Sequence, residues 1–326
     1  MVDDELTWQQ AAILRGLLLL AAPDAPTAAI NATAQAIARR AQDFTPPTEA
    51  APEAAGLSDP RPTHDAPRNL YSANLHVADL TDVDLTRANL LGADLTGADL
   101  TGAKLTGADL TGADLTGADL TRADLTRANL TRANLTHVNL TRANLTRANL
   151  TRANLTDADL ICADLTRVDL IDADLTGANL AGADLNDADL TGADLTYADL
   201  TYADLTDVDL TRAKLTGADL TDADLTRARL LGADLTDADL TSADLTGANL
   251  TRADLTNADL TGAVLVTDGP GTLNCTRMRW SERTCWPAPF GEWLRERSSP
   301  LGGGEYEVQG AGSSGADLTA PSTPMR

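Results

Sequence analysis

The sequence predicts an all-β solenoid in which the chain turns a corner every five residues. Three observations predict it. From Tyr71 to Leu265 every fifth residue is Leu without a miss, 39 consecutive pentads. The residue two before each Leu is Ala, or Val at Val83, Val138, Val168 and Val208. The residue just before Leu is Asp in 25 pentads and Asn in 10, with Lys104, Lys214, Arg229 and Val264 in the other four.

A period of five excludes the two regular alternatives. In an α-helix five residues turn the chain by about 500°, so successive Leu would spiral round the rod and form no stripe. In a flat strand the side-chain period is two, so an odd repeat would send Leu alternately to opposite faces. A corner in each pentad lets every Leu, and the Ala two before it, point inward. Thr, Asp or Asn and the variable residue then point outward.

Composition agrees with a thin, uniform core. Hydrophobic residues make up 43% of the 326-residue chain but aromatic residues only 3%, with two Phe. The 48 Asp and Glu against 25 Lys and Arg give a formal charge of −23, which argues against a general binder of nucleic acid or anionic membrane. Three Cys and three His, widely scattered, form neither a metal cluster nor a disulfide framework, so no cofactor is expected. The most apolar run, 13–22, is broken by Arg15 and reaches about half a bilayer span. It has no basic leader. These readings predict a cytoplasmic setting and no membrane span.

The unit Thr-x-Ala-Asp/Asn-Leu resembles the pentapeptide-repeat family, over 195 of 326 residues. The resemblance implies a right-handed quadrilateral parallel β-helix with four pentads per coil. Thirty-nine pentads then make nearly ten coils, a rod ~47 Å long at ~4.8 Å per stacked strand.

Around this solenoid (71–265) the remaining segments fall into order. Residues 1–44 are Ala- and Leu-rich and read as a short α-helical segment, with Asp24 or Thr27 as a cap. Residues 45–70 hold six Pro and read as a linker. Residues 266–308 hold Trp280, Trp286, Phe290, Trp293 and Tyr306. They read as a C-terminal cap over the open solenoid end. The stretch from Arg279 to Pro287 resembles the ending of some members of the family. Residues 309–326 read as a disordered tail.

No Cys–His pair, Ser–His–Asp set or phosphate loop is present, and Asp recurs at every pentad, so nothing singles out an acid and a base. The chain is read as a non-enzyme. His137 occupies a variable surface slot. Asp residues twenty apart should stack and repel, and the exceptions relieve that repulsion. Lys104 falls between Asp84 and Asp124, Lys214 between Asp194 and Asp234, and Arg229 between Asp209 and Asn249.

Residues 121–155 differ. Arg122, Arg127, Arg132, Arg142, Arg147 and Arg152 fill variable slots, Asn replaces Asp in all but one pentad, and six Arg less Asp124 give +5. Residues 71–120 total −6 and residues 156–265 total −17. A basic belt, expected to run round all four sides, thus separates two acidic arms. It either docks an acidic partner or records duplication of one Thr-Arg-Ala-Asn-Leu unit. Tyr197 and Tyr202, in variable slots on adjacent sides, are candidate partner anchors.

The function expected is a protein–protein interaction or scaffold module with an unidentified protein partner. The alternative comes from the resemblance. Some members of the family imitate duplex DNA and bind type II topoisomerases, which implies a role at gyrase. The long acidic arm has DNA-like charge density. Against the alternative stand the Arg belt and the lack of Phe in the central inward slot, where Phe is common in the topoisomerase-binding members. No C-terminal helix for the apolar dimer interface of those members is evident either.

Overall fold

The computed structural model describes residues 69–266, 274–287 and 290–309. The helical segment expected at 1–44, most of the linker and nearly all of the tail lie outside the described residues.

Each pentad contributes one bridge residue, the one before its Leu, which from Asn69 to Asp244 pairs in parallel with the one twenty residues on; Val264 pairs with Cys285. Four columns follow, begun by Asn69, Asn74, Asp79 and Asp84. They are the four sides of a quadrilateral β-helix, here sides 1 to 4. The coil contacts begin at Asn69, which pairs with Asn89.

The pentad is closed in its hydrogen bonds. From Leu125 to Asn129 all five N–H groups have acceptors. Leu125 donates to Asn144 O at 2.7 Å, Arg127 to Thr146 O at 3.0 Å, and Asn129 back to Ala108 O at 2.8 Å. Ala128 donates to Leu125 O at 2.8 Å, closing a β-turn. Thr126 donates to Asp124 Oδ1 at 3.0 Å. A buried N–H without a partner costs about as much as a lost hydrogen bond, and only this last one depends on a side chain. Asp and Asn are short enough to accept from the backbone two residues on, which is why the slot before Leu holds them.

The turn has a positive φ at its third residue alone, the signature of type II. Arg127 has φ +58° there. Gly serves this slot in many pentads, yet Arg, Asp, Tyr, Ser and Asn adopt it too. The stack of coils on either side holds these side chains in a conformation that costs ~1–2 kcal/mol in isolation.

Inside, every fifth residue from Leu75 to Leu265 is a buried Leu, and the Ala or Val two before each is buried from Ala78 to Ala263. They form one continuous core. Ala lets opposite walls approach, and each Leu fills the shaft beside its neighbours. Burying each Leu contributes ~1.5–3 kcal/mol before entropy.

After Leu265 the pentad register resumes at Asn274. Asn274 pairs with Asp254 and Arg279 with Asp259, so the solenoid extends beyond Leu265. Cys275, Met278 and Trp280 take the inward slots and are buried. Burial pushes the Cys275 thiol up to about 12, so it behaves as a small apolar core residue.

Three strands and one helix complete the described chain: β1 (Arg279–Ser281), α1 (Phe290–Glu296), β2 (Ser298–Gly302) and β3 (Glu305–Val308). The strands form an antiparallel sheet in the order β1-β3-β2. Val308 of β3 stands where another coil would: its carbonyl accepts from Arg277 N at 3.0 Å and its N–H donates to Met278 O at 2.9 Å. Ser281 Oγ and Thr284 Oγ1 both lie 3.2 Å from the Gly262 N–H they accept. Trp280 stacks on Tyr306 at 4.6 Å and meets Trp286 edge-on at 6.2 Å. Its Nε1 donates to Ser298 Oγ at 2.9 Å. The aromatic cluster thus packs over the last coil. No described helix is long and apolar enough to cross a membrane.

Candidate protein-docking surfaces

The variable residues line the four corners of the rod. Let corner n be the edge just before side n in the chain direction. Arg127 and Arg147 then stack on corner 1, Arg132 and Arg152 on corner 2, and Arg122 and Arg142 on corner 4. Corner 3 carries His137 and Asp157 at the same level, with His137 Nδ1 3.8 Å from Asp157 Oδ2. The belt expected on all four sides therefore occupies three corners.

Sorting the solenoid by side exposes a second polarity, across the rod. Side 1 with its two corners holds ten basic and seven acidic residues between 69 and 266, a net +3. Side 3, opposite, holds two basic and twelve acidic residues with its corners, a net −10. Its bridge column runs through Asp199, Asp219, Asp239 and Asp259 without interruption. Sequence reasoning summed charge along the axis and missed this. A sort at a period of twenty would have found it.

Ion pairing differs between the belt and the rest. Outside it, four of the eight basic side chains between residues 69 and 266 reach one coil to an Asp. Lys214 lies 2.9 Å from Asp194, Arg229 3.1 Å from Asp209 and Arg167 3.1 Å from Asp187, and Arg227 holds Asp207 through two nitrogens. At the belt's edge Arg152 reaches Asp172 at 3.4 Å. Among the described residues Arg122, Arg127, Arg132, Arg142 and Arg147 make no ion pair. They are exposed and stack on like charge. The ladder places Lys104, Lys214 and Arg229 beside the neighbours assigned to them, and Lys214 and Arg229 form ion pairs there.

The Asp side chains are turn acceptors first. For Asp194, burial pushes the carboxyl up, but hydrogen bonds from Thr196 and Lys214 outweigh it and hold it below its ordinary range. Lys214 is raised in turn, chiefly by its bond to Asp194. At Asn129 and Asn134, where Asn replaces Asp, the amide bonds the coil before: Asn134 Nδ2 donates to Thr116 Oγ1 at 2.8 Å and Asp114 Oδ1 at 3.2 Å. The neutral amide keeps the acceptor and removes the like-charge contact.

Tyr197 and Tyr202 sit on corners 3 and 4, each 70% exposed. Tyr197 lies across the next coil: a Cβ on Gly217 would come within 2.6 Å of its Cε1. At the far end a cleft of about 500 Å³ is lined by Trp280, Trp286, Glu282, Glu292 and Arg295, among others. Arg295 lies over the Trp280 and Tyr306 rings at 6.0 and 5.8 Å.

The family model described as Pentapeptide repeats matches in eight copies between residues 69 and 266. Among solved structures the chain is similar to HetL, a pentapeptide-repeat protein involved in heterocyst differentiation regulation from the cyanobacterium Nostoc sp. strain PCC 7120. The identity is 38%, over 61% of this chain and 90% of that one, with a TM-score of 0.51. It is also similar to alr5209, a pentapeptide-repeat protein from Nostoc PCC 7120, at 42% identity over 29% of this chain and 72% of that one, TM-score 0.25. QnrB1, a plasmid-mediated fluoroquinolone resistance protein, matches at 19% identity over 63% of this chain and 96% of that one, TM-score 0.25. No curated protein matches the chain.

Proposed function

The chain belongs to the pentapeptide-repeat family, whose fold is a right-handed β-helix, and from that premise we propose that it is a non-enzymatic docking module. Its rod of nearly ten coils presents the belt side to an acidic protein partner in a cytoplasmic setting. One observation carries the reading: five exposed Arg without an ion pair, each stacked one coil from another Arg of the belt. Stacked like charge is costly, and an acidic surface laid on it relieves that cost. HetL, which is similar in fold, takes part in regulation, in keeping with a module that binds. The test is binding of a defined acidic probe, polyglutamate, to the native chain. Changing the five Arg to Asp, a residue this slot already accepts at Asp187 and Asp207, should abolish it. Equal binding by both would refute the reading.

A second reading rests on charge spacing. Residues 156–265 carry −17 net over about 26 Å of rod, where duplex DNA would carry ~15 charges. On this reading the acidic arm occupies the DNA channel of a type II topoisomerase. A gyrase supercoiling assay tests it, and no effect at micromolar protein would remove it.

A further inference from the structure

The opposed charges of sides 1 and 3 identify a partner already at hand. We propose that the chain associates with a second copy of itself, the basic belt of one rod, on side 1, lying against the acidic side 3 of the other. This rests on the docking reading and names its partner.

Charge sign is the first argument. Side 1 with its corners is +3, and side 3 is −10. The net charge of −23 opposes any pairing. Beyond about 8 Å in physiological salt, however, exposed charges are largely screened. Facing sides then decide, and these two attract.

Spacing is the second argument. Arg127 and Arg147 stand one coil apart on a straight edge, as do Arg132 and Arg152 on the next. That spacing is ~4.8 Å. A helix offers carboxylates ~5–6 Å apart on one face, and an extended strand every second residue, ~6.8 Å. A second rod of the same rise offers them in step. Asp199, Asp219, Asp239 and Asp259 make a column of four on side 3. Each is part-exposed or exposed at the side surface. Between the Arg corners lie Asn129 and Asn149, whose neutral amides do not repel those carboxylates.

Reversing or staggering the rods sets belt against long arm rather than belt against belt. The contact uses two different surfaces, so each copy keeps one of each free. Association through such heterologous faces stays open and grows with concentration.

Sedimentation of the full chain over a range of concentrations tests the proposal. At about 0.1 M salt the average mass should rise to at least twice that of the monomer. At about 1 M salt, where charges reach only about 3 Å, it should return to the monomer. Two variants should each abolish the rise. One changes Arg127, Arg132 and Arg147 to Asp. The other changes Asp199, Asp219, Asp239 and Asp259 to Asn, which keeps the turn acceptor and removes only charge. Circular dichroism establishes that both are folded. A native chain that stays monomeric at low salt overturns the proposal, and so does association that neither variant alters. If that monomer still binds polyglutamate, the docking reading survives alone. If it does not, both fall.

Discussion

Asp124 holds Thr126 twice: its Oδ1 accepts the backbone N–H at 3.0 Å and the hydroxyl at 2.6 Å. Its other oxygen accepts the hydroxyl of Thr106, one coil back, at 2.8 Å. Thr106 follows Lys104, which cannot accept its hydroxyl, and the hydroxyl bonds Asp124 instead. Burial pushes the Asp124 carboxyl up, but the Thr126 and Thr106 bonds prevail and hold its pKa below the ordinary range.

Asp124→Ala should therefore lower stability by about 1–3 kcal/mol, since an N–H and two hydroxyls lose their acceptor. Asp124→Asn keeps the Thr126 acceptor and should cost less. Urea midpoints of the two variants against the native chain measure the difference.

The same bonds predict acid sensitivity. The Thr96 hydroxyl bond is the largest influence on Asp94; burial opposes it, while the Thr96 N–H and the nearby His76 charge add to it, and the net direction is down. A carboxyl depressed in the folded state contributes stability above its unfolded value of ~3.9, and that stability is lost as pH falls through the folded value. Asp94→Asn has no proton to gain. Its melting temperature should fall less than the native chain's between neutral pH and the range below ~4.

Inside the shaft, Leu150 and Ala148 are both buried. Leu150→Ala should cost about 2–5 kcal/mol by leaving a cavity. Ala148→Leu should also destabilise, because Ala148 sits among buried Leu and Ala side chains that added atoms would overpack. Thermal melts of both variants check the prediction, and a neutral Ala148→Leu would contradict a tightly closed shaft.

Gly217 has φ +65°, and its missing side chain makes room for the Tyr197 ring. Gly217→Ala meets two penalties, the backbone strain of ~1–2 kcal/mol and the ring contact. With Tyr197→Ala alongside, only the first remains. A double-mutant cycle should give a coupling of at least ~0.5 kcal/mol.

The period, the inward Leu and Ala, and the ladder neighbours of Lys104, Lys214 and Arg229 were all legible, because a five-residue word admits few geometries. The turn-acceptor role of Asp was written in Asp-Leu-Thr but hidden by its uniformity: read as a ladder of charge, Asp124 looks like a problem rather than a bond. The resumption at Asn274 escaped because Cys275, Met278 and Trp280 replace Leu and Ala, so the pattern of types ends while the pattern of slots continues. Arg127 and Arg132 looked like one belt until the coil assigned them to two edges of one side. Nothing in the sequence around Tyr197 points to Gly217, because contact between them needs the register.

That register, twenty residues to a coil, carries every surface assignment, and Cys162 reports on it. Cys162 is exposed and free, and a Cβ on Gly182 would lie 3.5 Å from its Sγ. Gly182→Cys places a second thiol one coil above, within the reach of a disulfide. Gly177→Cys places one on the neighbouring corner. After mild oxidation, mass spectrometry of unreduced tryptic peptides should find Cys162 bridged within the chain in the Gly182→Cys variant and free in the Gly177→Cys variant. A bridge in the second and none in the first would contradict the twenty-residue coil.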